Sequence, residues 1–151
     1  MKDELYFMKE ALKEAVKSKN ENEIPIGAVI VSGDKIIARA HNMRNGKNSA
    51  TAHAEILAIE KACKKLNSWR LDDLEMYVTL EPCSMCAGAI ANARIKKLHF
   101  GAYERKSGAV LSNFRILFKS GLNHTVDVKG GILESECSKI LKDFFKEKRG
   151  E

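Results

Sequence analysis

The chain has 151 residues, 44% of them hydrophobic and 30% charged, the size and composition of one soluble globular domain that can bury a core. Charges break the amino terminus every few positions, and the longest apolar run, Ile26 to Val31, is far too short to span a bilayer; this excludes a signal peptide and a membrane span and gives a cytoplasmic address. The 26 Lys and Arg against 20 Asp and Glu leave a net charge of +6, which favours a polyanionic partner without requiring one.

From Asp3 to about Asn20, apolar residues recur at Leu5, Met8, Leu12, Ala15 and Val16 between lysines and glutamates, the period of a helix with one buried face. After a polar break, the runs Ile24 to Val31 and Lys35 to Ala40 are β-prone and joined by Ser32-Gly33-Asp34, which predicts a hairpin. Asn42 to Ser49 reads as a loop that delivers the chain to His53. Ile56, Leu57, Ile59, Ala62 and Leu66 mark a second helix, followed by a third strand over Glu75 to Leu80. Pro82 biases Glu81 towards an extended backbone and suits the opening of a helix, so a third helix is predicted to start at the thiols of Cys83 and Cys86 and to end near Ala93-Arg94. Lys96 to Phe100 reads as a fourth strand, residues 101–109 as a basic loop flanked by glycines, and Asn113 to Phe118 as an amphipathic segment. A fifth strand is expected over Thr125 to Val128 and a last helix over Glu134 to Lys148, with Cys137, Ile140, Leu141, Phe144 and Phe145 on one side. No repeat, low-complexity tract or linker interrupts residues 1–151, which are expected to form a single domain.

Chemistry concentrates in His53-Ala54-Glu55 and Pro82-Cys83-Ser84-Met85-Cys86. Four cysteines in an intracellular chain, two of them spaced C-x-x-C after a proline, argue for metal or redox chemistry over disulfides; Cys63 and Cys137 read as small hydrophobes. One imidazole and two thiolates suit a tetrahedral zinc ion whose fourth position is open to water, with Glu55 left to handle protons. A closed structural site needs a fourth ligand, and no second C-x-x-C exists, while His41, His99 and His124 are scattered singly. Cys83 and Cys86, three apart at a helix amino terminus, share a face and gain stabilisation as thiolates. Residues two apart do not share a helical face, so His53 and Glu55 converge only at a helix start, and the second helix is predicted to begin at His53 or one residue before it. Two thiolates offset the charge of zinc, so its water needs a neighbouring base. Glu55 is placed to take that proton and return it to a substrate from which an amine is displaced by hydrolysis.

The H-x-E and P-C-x-x-C pattern resembles the zinc-dependent nucleobase and nucleoside deaminases. The stretches Pro25-Ile26-Gly27-Ala28-Val29, Trp69-Arg70-Leu71, Tyr77-Val78-Thr79-Leu80-Glu81, Met85-Cys86-Ala87-Gly88, Asn123-His124 and Asp143-Phe144-Phe145 extend the likeness to the bacterial tRNA-specific adenosine deaminases over nearly the full length. The resemblance implies an α/β, three-layer α-β-α cytidine deaminase-like fold with a mixed five-stranded sheet, in a homodimer with one zinc ion per subunit. The implied reaction converts the wobble adenosine of a tRNA anticodon stem-loop to inosine. It also implies zinc binding by His53, Cys83 and Cys86, proton transfer by Glu55, and substrate contacts from Asn42, Glu104, Lys106, Asn123, Phe144 and Phe145. Where the family usually has an aspartate this chain has Glu104, whose extra methylene keeps the charge and moves the carboxylate. A deaminase of a free base or nucleotide would share every zinc residue without needing the basic surface. A non-catalytic RNA-binding zinc protein would need neither Glu55 nor an open ligand position.

Overall fold

The computed structural model describes residues 2–118, 121–122 and 124–150. In chain order they form α1 (Glu4–Asn20), β1 (Gly27–Ser32), β2 (Lys35–His41), α2 (Ala54–Leu66), β3 (Glu75–Leu80), α3 (Ser84–Asn92), β4 (Lys97–Ala102), a 3-10 turn (Ile116–Phe118), β5 (Asp127–Lys129) and α4 (Glu134–Lys148). The strands make one mixed sheet in the order β2-β1-β3-β4-β5. β1 pairs antiparallel with both β2 and β3, and the sheet turns parallel from β3 to β4 to β5.

Alternation along β1 explains the layering. Ala28 and Ile30 face a core shared with Ala54, Ala58 and Ala62 of α2 and Ala87 and Ile90 of α3. Val29 and Val31 face the other way, onto Phe7, Met8 and Ala11 of α1 and Cys137 of α4. A strand buried on both faces must be apolar throughout, and β1 is, apart from its exposed last residue, Ser32. Small residues set the spacing: a Cβ on Gly27 would lie 2.5 Å from the Ala15 amide nitrogen, so α1 rests directly on the strand. At the start of α1, Asp3 accepts a 3.0 Å bond from the Tyr6 amide, a cap worth about 0.5–2 kcal/mol.

Element types agree with the sequence expectations, and the boundary differences have local causes. β1 starts at Gly27, not Ile24, because Pro25 has no N–H to pair and the Ile26 amide turns back 2.8 Å to the Ile24 carbonyl. β4 runs on through Gly101 to Ala102, which pairs with Leu80. The missing side chain at Gly101 admits Cys137 of α4, whose Cβ would lie 2.9 Å from an added methyl. β5 is shifted to Asp127–Lys129 by its register on Lys97 to His99. Of Asn113 to Phe118, only the last three residues are helical, with Leu117 buried and Phe118 exposed.

Candidate metal centre and active-site cavity

α2 and α3 both begin at the carboxyl-terminal side of the sheet's middle strands, and their starts carry the reactive groups. His53 is the N-cap of α2, with φ −77° and ψ 151°, so the helix begins one residue later than predicted. Cys83 is the N-cap of α3, and Cys86 lies in its first turn. An N-cap side chain ordinarily bonds the free amides of its own helix, but neither His53 nor Cys83 does so. The Ala54 amide instead donates 3.0 Å to Oδ1 of Asn42, twelve residues away. Asn42 thus takes over the cap and leaves the imidazole free. Asn42 is itself tied down, its amide donating to the Ile26 carbonyl at 3.1 Å and its carbonyl accepting from Ser18 Oγ at 2.8 Å.

Nδ1 of His53 lies 3.8 Å from Sγ of Cys83 and 3.6 Å from Sγ of Cys86. Zinc bonds of about 2.3 Å to sulfur and 2.0–2.1 Å to nitrogen at a tetrahedral angle put such atoms about 3.6 Å apart, so the donor set fits zinc. Among the described residues this is the one group of three or more His, Cys, Asp or Glu donor atoms within 4.8 Å of one another, and Glu55 is not a member. A fourth protein ligand is therefore missing from the described residues, the arrangement of an open site. The electrostatics agree. Hydrogen bonds from Cys86 and His53 draw the Cys83 thiol down to about 3, and bonding to Cys83 in turn raises His53. The neighbouring Cys83 sulfur and burial push the Cys86 thiol up. Glu55, 4% exposed, is pushed up to about 7, chiefly by burial and further by the charge on Cys83.

The site opens into a cavity of about 490 Å³, within the range that holds a nucleoside-sized ligand. His53, Glu55 and Cys83 lie on its wall, and Cys86 is fully buried behind them. Of the other residues singled out from the sequence, Asn42, Glu104 and Phe145 line the cavity. Glu104 turns Oε1 back onto the Lys106 amide at 3.0 Å, while Lys106 is exposed and outside the lining. The aromatic pair divides: Phe145 is 42% exposed at the mouth, whereas Phe144 is 6% exposed and faces neighbouring grooves. Asn123 lies outside the described residues. His41, His99 and His124 stand apart, bonded to Glu14 and Glu21, to Glu75, and to the Ile95 carbonyl. The cavity also draws on Arg44, Leu80, Tyr103 and Lys142, which the sequence reading passed over. One signal for Lys142 was available: Ser138, Leu141, Lys142 and Phe145 are three or four residues apart and form one face of α4.

Helices on both sides of a mixed sheet, with an imidazole, two thiols and a buried carboxylate gathered at two helix starts, define a zinc-type deaminase scaffold. Residues 1–149 match the MafB19-like deaminase family, and the chain belongs to it. It is 50% identical over 147 residues to the tRNA-specific adenosine deaminase of Bacillus subtilis, covering 97% of this chain and 91% of that protein. A solved structure from work on A-to-I editing by tRNA:A34 deaminases at the wobble position of transfer RNA superposes with a TM-score of 0.88 at 46% identity, covering 90% of this chain and 99% of that one. The guanine deaminase of Bacillus subtilis is more distant, with a TM-score of 0.66 and 33% identity over 99% of this chain and 96% of that one. No helix among the described residues is long and apolar enough to cross a membrane.

Proposed function

We infer that this protein hydrolytically deaminates adenosine to inosine at the wobble position of a tRNA anticodon, with one zinc ion per subunit held by His53, Cys83 and Cys86. The observation that carries the reading is a tetrahedrally spaced nitrogen-and-sulfur triad with Glu55 beside it on the wall of an open cavity. The relatives named as tRNA-specific adenosine deaminases supply the substrate, and the net charge of +6 suits a polyanion. Bound zinc supplies Lewis acidity that makes water nucleophilic near neutral pH.

This chain's residues do the rest. Glu55 accepts a proton from the attacking water and delivers it to the ring nitrogen next to the reacting carbon; it then takes the proton of the newly added hydroxyl and passes it to the amine, which leaves as ammonia while the carbonyl forms. Asn42 spends Oδ1 on α2, so its Nδ2 group is the end it offers to the base or sugar. Phe145, exposed at the mouth, stacks on an anticodon-loop base, and Arg44 and Lys142 on the rim face phosphates. Glu104, Lys106 and Phe144 belong to the same RNA-facing side, Phe144 by packing behind Phe145 at a ring distance of 5.4 Å, and the resemblance gives Asn123 an RNA contact as well. A homodimer in the cytoplasm is the working form, and exposed Phe114 and Phe118 offer apolar surface to a second copy.

Zinc-loaded protein is expected to form inosine in an anticodon stem-loop with adenosine at the wobble position and to leave free adenosine and guanine unchanged. Turnover of guanine without turnover of the stem-loop would replace this reading with a free-base deaminase.

A further inference from the structure

Glu81 stands between β3 and Cys83, and no metal or proton chemistry described above uses it. It is 2% exposed, yet none of its hydrogen-bond donors is a cation. Its Oε1 accepts from the Glu104 amide at 3.1 Å and from the Ser112 hydroxyl, and its Oε2 accepts from the amides of Val110 at 3.2 Å, Leu111 at 2.7 Å and Ser112 at 2.9 Å. A buried carboxylate is costly to desolvate, and here four backbone amides and one hydroxyl of a single segment provide the compensation. That segment, residues 103–112, has no helix or strand of its own and carries Tyr103, Glu104 and Ser107 on the cavity wall.

One further contact binds the segment to the same corner, and another ties Glu81 to the end of β4. The Ala109 amide donates 2.9 Å to the Pro82 carbonyl, and the Glu81 amide donates 2.9 Å to the Ala102 carbonyl. Gly108 closes the arrangement: a Cβ there would lie 2.5 Å from Oε1 and 2.6 Å from Cδ of Glu81, so only glycine lets the loop backbone rest on the carboxylate.

We propose that Glu81 is a positioning residue that sets the shape of the 103–112 wall and thereby the fit of the RNA, without taking part in the chemistry. The substrate half of this statement rests on the tRNA reading above; the anchoring half does not. Glu81→Gln conserves volume but puts an NH2 group against amides that need an acceptor, so it unseats the loop from within. Gly108→Ala unseats it from the other side and leaves the carboxylate intact.

Both variants are compared with wild type in three measurements: zinc content, steady-state kinetics on the stem-loop, and amide hydrogen exchange. Zinc is expected to stay at one per subunit, KM to rise about tenfold or more, and kcat to stay within about threefold, the loss expected when a buried charge-assisted bond is broken. Exchange at Glu104, Val110, Leu111 and Ser112 is expected to speed up while β3 and β4 remain protected. Unchanged exchange at those amides overturns the anchor, and so does a fall in kcat and zinc together at constant KM, which would make Glu81 a support of Cys83. Wild type that leaves the stem-loop unmodified sinks the tRNA reading, while exchange still decides the anchor. If Glu81→Gln does not fold, Ser112→Ala, which removes a single donor, must shift KM and exchange in the same direction by less.

Discussion

The floor of the cavity and its rim are built differently. Floor groups sit on regular elements: His53 and Cys83 are helix N-caps, and Glu55 and Cys86 lie in the turns that follow, both at or below 4% exposure. Rim groups sit on loops and on the outer turns of α4, where Arg44, Glu104, Lys142 and Phe145 meet solvent. A rigid floor suits a reaction whose atoms must be placed within a fraction of an ångström. A guanine deaminase and a tRNA-editing structure both superpose on this chain, with TM-scores of 0.66 and 0.88.

The division predicts that floor changes act on turnover and rim changes on binding. Cys86→Ala removes one of three donors and should abolish both metal retention and inosine formation, read by elemental analysis and the stem-loop assay. Retained zinc with full turnover would break the floor assignment outright. Glu55→Gln is a smaller cut: kcat should fall by about 10²–10⁴ while zinc content and RNA affinity hold, because the isosteric amide keeps the packing and cannot accept the proton. A variant with near-normal kcat would remove Glu55 from the proton path.

Phe145 and Phe144 sharpen the contrast, since they are adjacent in sequence and one is exposed on the rim while the other is buried behind it. Phe145→Ala should raise KM by the loss of one stacking contact, about 1–3 kcal/mol or roughly 5- to 150-fold, with little change in melting temperature. Phe144→Ala should instead destabilise the fold, by about 3–5 kcal/mol if the site cannot collapse, and shift KM less. Equal effects on KM from the two would mean that the rim extends beneath the surface of α4.

The floor was legible in the sequence because its constraints are local. Cys83 and Cys86 share one helical turn, and Pro82 marks where that turn begins. The bounds of β3 and α4 were likewise readable from composition and apolar period. The rim was not, because its members converge only through tertiary contacts. Glu81 reads only as the extended residue before Pro82, and its donors lie 23 to 31 residues away. Asn42 reads as a turn residue, and nothing near it says that its amide oxygen caps a helix twelve residues on. Phe144 and Phe145 both fit the apolar stripe of α4, so periodicity alone could not say which one faces the mouth.

The smallest expected effect concerns what lies under the floor. Glu14 of α1 is buried, bonded to Lys17 at 2.6 Å and to His41 at 3.2 Å, and His41 is the residue before Asn42. Burial pushes the Glu14 carboxyl up, but Lys17 and His41 together outweigh it and hold the group below its ordinary value of 4.5. A carboxyl whose value is lower folded than unfolded stabilises the fold at neutral pH, and that contribution disappears as pH falls below about 4.5 and through the lowered value. Glu14→Gln should therefore lower the melting temperature at pH 7 and converge on wild type in acid, with the Asn42 cap loosening in parallel. On the rim side, the exposed Lys139–Asp143 pair of α4 should show almost no such dependence when Asp143 is replaced by Asn, because solvent screens it. A Glu14→Gln deficit that stays constant from pH 7 to pH 3 would mean that this residue supports the floor by its shape alone and not by its charge.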